Sequence, residues 1–302
     1  MADHPDTLSK YCTADTALKI LQSQRLRWSA PHLLGDPFEL HHRTTLTFDP
    51  HSLLDAAIQT ATAMIFSRDA PVGNSPLTTV VRRWRDEDRF SSQEEAEEVL
   101  RDLMARMVDK RQEAIDEMMA DWRRFTRHLR IVSFSAKPDN LACWQRFADS
   151  HRGAVIRMHC GGYTNLKEPH AVEYRANRPE ISSLKEQLNA VLHNEQPKVQ
   201  HSFGDKFLVK PQLASTEQEW RCFHNAEHEA SSRENDDSLW YDDRPFERAD
   251  ISAVYFGAFM PSEDKRKLWD LLKEQYADAR VFQAEPAPGK YEVAFKRITR
   301  QG

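Results

Sequence analysis

The sequence predicts an α+β fold, a mixed and strongly twisted sheet core with a large helical insertion at about residues 50–128, within one domain spanning 1–302. Short runs rich in β-branched and aromatic residues occur on both sides of a central block, at 25–28, 130–135, 153–159 and 251–256. The block itself, 50–128, repeats its apolar residues at helical spacing. No internal repeat is evident, so the strands belong to one sheet core and not to a solenoid.

Taken in order, Thr13 or Asp15 caps a helix over 13–23, with Leu18 and Leu21 on its buried side. Residues 25–28, Arg-Leu-Arg-Trp, alternate as a half-buried strand does. Pro31 ends that strand, and 34–39 reads as an ordered loop in which Pro37 holds Asp36 out of helical geometry. Two readings of the loop stay open. Phe38 plugs into the core while Asp36 caps nearby amides, or Asp36 or Glu39 lines a site. Pro50 opens a helix to about 67, and Pro and Gly break the chain over 71–76. A long helix follows over about 92–129, started by Ser91 or Ser92 with Glu94 and Glu95. Its apolar side carries Val99, Leu103, Met107, Ile115, Met118, Met119, Trp122 and Phe125, and its methionines read as core packing.

Strand signals then return at 130–135, followed by a helix over 140–150 with Trp144 and Phe147 on one side, and a strand at 153–159. Further strands are expected at 172–174, 206–210 and 220–223, with a helix over 181–193. The charged stretch 224–244 reads as an exposed, mobile loop. A strand at 251–256 ends in Gly257, before a helix over 262–276 and strands near Val281 and 291–295.

Composition narrows the function classes. Forty per cent hydrophobic residues suffice for a core, while the mean hydropathy of -0.71 indicates a wide polar surface. A net charge of -5 supplies no global basic field for nucleic acid. Four cysteines without a CxxC are too few for a disulfide scaffold. No signal-like segment and no run of roughly 18 apolar residues occurs, so a reduced, soluble, cytoplasmic protein is expected, with no membrane partner.

Glu217-Gln218-Glu219-Trp220-Arg221 carries the most chemical information. On a strand the two carboxylates at i and i+2 share one face, which is costly unless a substrate, a cation or a catalytic role compensates. Arg221 is expected to fix one of them by a charge-assisted bond. In chain order, Lys10-Tyr11, Ser133-Phe134-Ser135 and Glu217-Gln218-Glu219 resemble the basic residue, S-x-S strand and E-x-E loop of arginine-type ADP-ribosyltransferases, with Lys10 where that class uses Arg. The resemblance implies NAD as substrate, bound by Lys10 and Tyr11, with Ser133 and Ser135 positioning the ribose. It implies Glu219, assisted by Glu217, at the cleavage step, by stabilising the cationic sugar and orienting the nucleophile.

A broader resemblance runs along nearly the whole chain outside the helical block. Lys10-Tyr11, Asp36-Pro37-Phe38-Glu39, Phe134-Ser135, Trp144, Phe147, His151-Arg152-Gly153, Lys210, Glu217, Glu219, Arg221 and Gly257 resemble the signatures of a widespread, mostly bacterial family catalogued as a domain of unknown function. Departures are Ser9, Gly35, Ser133, Cys143 and Ala214, where that family has Tyr, Asn, Cys, Met and Trp. That family implies no settled activity; the ADP-ribosyltransferase resemblance implies an NAD-consuming transferase or glycohydrolase, an activity that suits a toxin or anti-phage effector with a protein or nucleic-acid acceptor. Asp36, Glu39, Trp144, His151 and Arg221 would support the site.

Two other classes compete. One is a non-catalytic interaction protein using the helical block as a partner surface. The other is a nucleic-acid effector using Arg82-Arg83-Trp84-Arg85, Arg123-Arg124, Arg127 and Arg130, although acidic neighbours favour surface salt bridging. His151 reads equally as a helix C-cap contact or a contact to a phosphate or carboxylate. His41-His42 cannot both reach one ion on a strand, and Cys222, His224 and His228 lack the second cysteine pair of a zinc site, so no metal is expected. No cysteine sits in a nucleophile pattern, and P-loop and Rossmann motifs are absent.

Overall fold

The computed structural model describes residues 4–69, 71, 75–195, 197, 199–227 and 237–299. In chain order it contains β1 (Thr7–Cys12), α1 (Ala14–Ser23), β2 (Arg25–Ser29), α2 (Pro50–Phe66), α3 (Pro76–Asp86) and α4 (Gln93–His128). Then come β3 (Leu129–Ser135), α5 (Leu141–Phe147), β4 (Ala154–His159), β5 (His170–Ala171), β6 (Glu173–Arg175) and α6 (Leu184–His193). The chain ends with β7 (Val209–Pro211), β8 (Glu219–Asn225), β9 (Tyr241–Pro245), β10 (Ile251–Phe256), α7 (Ser262–Gln275), β11 (Arg280–Pro286) and β12 (Val293–Ile298). These form two compact units, one of residues 1–39, 127–178 and 208–302, the other of 40–126 and 179–207. The second unit therefore draws on 179–207 as well as on the central block. Among the described residues no helix is long and apolar enough to cross a membrane.

The first unit is built on a mixed sheet of order β12-β11-β10-β4-β1-β3-β2-β9, with β8 also paired to β3 and β5 paired to β8. The β10–β11 pair is parallel and the other pairs of this sheet are antiparallel. Strand alternation divides the core between the two faces. Along β4, Ala154, Ile156 and Met158 join the cluster containing Ile20 and Leu21 of α1 and Leu268 and Leu272 of α7. Val155, between them, joins Tyr11 and α5's Cys143 and Trp144 on the opposite face. Tyr276 Oη donates to Leu21 O at 2.6 Å, tying the end of α7 to α1. Of the two caps offered for α1, Thr13 is the one used, and Asn140 caps α5. Thr13 Oγ1 accepts from Thr16 N, and Asn140 Oδ1 accepts from Cys143 N.

The second unit is helical, with α2, α3 and α6 packed on one another. Ser183 and Glu186 close a reciprocal capping box at the start of α6. Trp122 is fully buried, stacked on Phe207 with centroids 5.6 Å apart, and its indole N–H donates to His41 O.

Several expectations are corrected. The buried line of α4 runs through Ala96, Leu100, Met104 and Val108, leaving Val99 41% exposed and Leu103 and Met107 half-buried. Small Ala96 lies on the true seam, so a line drawn through the bulkier residues falls one position off it. Phe38 does not enter the core: it is 60% exposed, because Asp36 Oδ1 accepts from Phe38 N in a tight turn that sends Glu39 inward instead. α5 stops at Phe147, which is 41% exposed while Trp144 is buried. Residues 204–208 form a 3-10 turn, with the strand delayed to β7. Within 224–244, residues 224–225 extend β8 and 241–245 form β9, paired to β2; residues 228–236 lie outside the described residues, as do 72–74 of the expected break. β9 is charged yet ordered, because Arg27 holds Asp243 by two bonds of 2.9 and 2.8 Å and stacks on Tyr241. α3 was not anticipated as a helix; Ser75 caps it and Pro76 opens it.

Two glycines let backbone approach backbone. A Cβ on Gly153 would lie 2.1 Å from Cys12 O, and one on Gly257 would lie 2.1 Å from His151 O. Gly153→Ala is expected to lower stability by about 2–4 kcal/mol in urea unfolding, whereas Gly162→Ala, with nothing within 4 Å, should be near neutral. Equal stability of the two variants would contradict this packing.

Candidate functional site

The site follows from a fork in the sheet. One edge of β3 pairs with β8 along its whole length, from Leu129↔Asn225 to Ser135↔Glu219. The other edge is shared: Ser29 of β2 meets Ile131, and Ser9 of β1 meets Ser135. Ser133, midway, points its carbonyl into the gap between β1 and β2 by the alternation of the strand. Lys10 Nζ donates to that carbonyl at 2.9 Å, in the place where a strand amide would otherwise bond. A cavity of about 260 Å³ opens over the fork. Its walls are the strand residues, Leu33 and Leu34 of the loop after β2, Phe147 of α5, and Lys210.

An alternating chain of charges lies along this cavity. Arg146 donates to Glu217 Oε1 at 2.6 Å, and Lys210 Nζ donates to Glu217 Oε2 at 2.6 Å. Lys210 Nζ also lies 2.9 Å from Glu219 Oε2, an ion pair without hydrogen-bond alignment. Arg221 Nε donates to Glu219 Oε1 at 2.7 Å, and its two terminal nitrogens grip Glu39 at 2.9 and 2.8 Å. Each carboxylate is thus separated from the next by a cation. Arg221 is only 2% exposed, and breaking a pair at that depth strands a charge at a cost of about 3–5 kcal/mol.

The backbone route to this arrangement differs from the expected strand. Glu217 ends a 3-10 turn (Gln212–Glu217), Gln218 is left-handed at φ 47°, and only Glu219 lies on β8. The carboxylates share a side because of that kink, not because of strand alternation. The left-handed Gln218 costs about 1–2 kcal/mol, and neighbouring bonds hold it in place. Ser135 Oγ and Asn140 Nδ2 donate to Glu217 O, Ala136 N donates to Gln218 O, and Glu219 N donates to Tyr174 Oη at 2.8 Å. Tyr174 and Lys210 are register partners in the parallel β6–β7 pair, so one small sheet presents both the phenol and the ammonium to the Glu217–Glu219 kink.

Electrostatics fix the protonation states. Burial pushes the Glu219 carboxyl up, but Arg221 and Lys210, with help from the Ser133 hydroxyl, overcome it and hold the group at about 2. Burial dominates at Glu39 and raises its pKa despite Arg221. Desolvation lowers Lys210, but Glu219 and Glu217 reverse that and raise it. Lys10 is lowered by burial, with Cys12 and Glu219 only partly opposing.

Of the expected site residues, Glu217, Glu219, Lys10, Ser133, Arg221, Asp36 and Glu39 all line the one cavity. Tyr11 and Ser135 also line it, but their hydroxyls are engaged. Tyr11 Oη donates to Lys137 O and accepts from Asn140 N, and Ser135 Oγ bonds Glu217 O. Trp144 and His151 are not among the lining residues; they stack on each other at 6.0 Å, and His151 N donates to Trp144 O at the end of α5. Lys210, Arg146 and Tyr174 were not picked out as site residues. Lys210 stood in the sequence only as one matching position of a motif, and neither Arg146 nor Tyr174 carried a signal. Cys143 lines the cavity with its thiol pushed up to about 12 by burial, which makes it inert. Among the described residues no group of three or more His, Cys, Asp or Glu is arranged to hold a metal; His228 lies outside them.

No family model, curated protein or solved structure matches the chain.

Because the Glu219 pKa is depressed in the fold, its contribution is complete above the usual carboxylate value of 4.5 and disappears as pH falls toward 2. That difference corresponds to about 3 kcal/mol. Urea unfolding between pH 5 and pH 2.5 should show a steeper loss for the wild type than for Glu219→Gln. Parallel pH profiles would contradict the assignment.

Proposed function

We propose that the cavity binds and cleaves NAD, making the protein an NAD-consuming ADP-ribosyltransferase or NAD glycohydrolase. The observation that carries this reading is the convergence of Lys10, Ser133, Glu217 and Glu219 on one cavity at a fork between strands. At about 260 Å³ it lies just below the usual range of small-molecule sites, about 300–1,000 Å³. It suits the nicotinamide ribose end of a dinucleotide, with the remainder lying outside.

In this mechanism the bond from ribose C1′ to the nicotinamide nitrogen breaks, its electron pair leaves with nicotinamide, and positive charge develops on the sugar. Glu219, ionised at any physiological pH, stabilises that charge by its field. It is not the proton acceptor: a group held at about 2 is too weak a base, and its Oε2 is sealed from solvent. Glu217, held by Arg146 and Lys210, orients the incoming nucleophile. Ser133 positions the ribose and Lys10 offers a cation to phosphate. The acceptor is water or a nucleophile on a protein or nucleic acid, in the cytoplasmic setting of a toxin or anti-phage effector.

One observation favours a second reading, a non-catalytic interaction protein. Glu39, Glu217 and Glu219 are all satisfied by protein cations, as in a structural charge ladder. The nucleic-acid reading has less support, since Arg82 and Arg85 donate to Pro71 O and Met64 O and Arg83 pairs with Glu87.

Nicotinamide release by wild type and Glu219→Gln separates the readings. Turnover by the wild type, reduced about 10²–10³-fold in the variant with folding intact, is expected. Equal turnover by both would remove Glu219 from the mechanism, and neither NAD binding nor turnover by the wild type would replace the transferase reading with the interaction protein.

A further inference from the structure

Two lysines line the cavity, in opposite surroundings. Lys210 lies between two carboxylates and is held protonated. Lys10 has no carboxylate within ion-pair distance among the described residues, and it alone of the cavity's cations lacks one: Arg27 has Asp243, Arg146 has Glu217, and Arg221 has Glu39 and Glu219. Lys10 Nζ makes one hydrogen bond, to Ser133 O, and lies 5.6 Å from the centre of the Phe134 ring. The groups bearing on its charge are Cys12 on its own strand and Glu219 on β8, neither of which offsets its burial.

We propose that Lys10 is a carbonyl-reactive amine, and that the cavity accepts small aldehydes as covalent ligands. The bond to Ser133 O orients the nitrogen and leaves its lone pair free for attack. Nζ adds to the aldehyde carbon, and the carbonyl π electrons move to oxygen, which takes a proton. Loss of that oxygen as water, carrying both protons shed by nitrogen, gives the imine, so amine and aldehyde become imine and water with no outside oxidant or reductant. This inference goes beyond the NAD reading and does not depend on it, since a phosphate would hold the proton on Lys10 whereas an aldehyde takes the free amine.

The test treats the full chain with glyoxylate and cyanoborohydride at neutral pH and maps the reduced adducts by peptide mass spectrometry. Lys10 should be modified at least about tenfold faster than Lys210 and the exposed Lys19. Comparison within the wild-type chain requires no variant to fold. Lys10→Arg, if folded, should leave the cavity unlabelled. Labelling of Lys210 or Lys19 as fast as Lys10, or no adduct on Lys10, would overturn the proposal.

Discussion

Arg221 is the residue on which the sheet unit's site depends. Its guanidinium, almost wholly withdrawn from water, bonds Glu219 with one nitrogen and Glu39 with two others. A buried guanidinium is tolerable only when its donors are met, and here both acceptors are carboxylates. The same bonds join the loop after β2 to β8 and so fix one wall of the cavity. They also hold Glu219 ionised, which decides the kind of chemistry it can do: it can stabilise positive charge but cannot take up a proton near neutral pH. Lys210 extends the pattern to Glu217, and Arg146 ends it at the surface. Alternation of sign is what allows three carboxylates to share so small a region.

The second constraint is the fork. A sheet in which β1 and β2 both continued along β3 would leave no room for a ligand; here each touches β3 at one residue and then diverges. An exposed strand carbonyl is normally a liability, and the Lys10 side-chain nitrogen covers this one. The site is therefore built where regular pairing stops, and the hydrogen bonds that regular pairing would supply come from side chains. Asn140, Ser135 and Tyr174 do the same at the Glu217–Glu219 kink.

Much of the scaffold was legible because it follows local rules. Thr13 and Pro50 start helices as capping chemistry predicts, and Ile251–Phe256 is the apolar strand its composition indicates. The Glu217–Glu219 pairing was also legible, but for the wrong reason, since a left-handed Gln218 has no sequence signature. The place of Lys210 in the site was not legible, because an irregular 3-10 turn separates it from its partners and no periodicity connects them. β9 was hidden for the opposite reason: its order comes from Arg27 gripping Asp243 and Tyr241, and charge in a sequence reads as loop. Phe38 misled because an aromatic residue suggests core, whereas the turn made by Asp36 and the pull of Arg221 send Glu39 inward.

The central claim is that the forked cavity is where this protein meets its ligand. Hydrogen–deuterium exchange on the full chain, with and without saturating NAD, tests it most directly. The account predicts added protection concentrated in β1, β3 and the segment 209–221, the three stretches that converge there. Protection confined to other segments, or none anywhere at NAD concentrations that saturate known NAD-binding proteins, would contradict it.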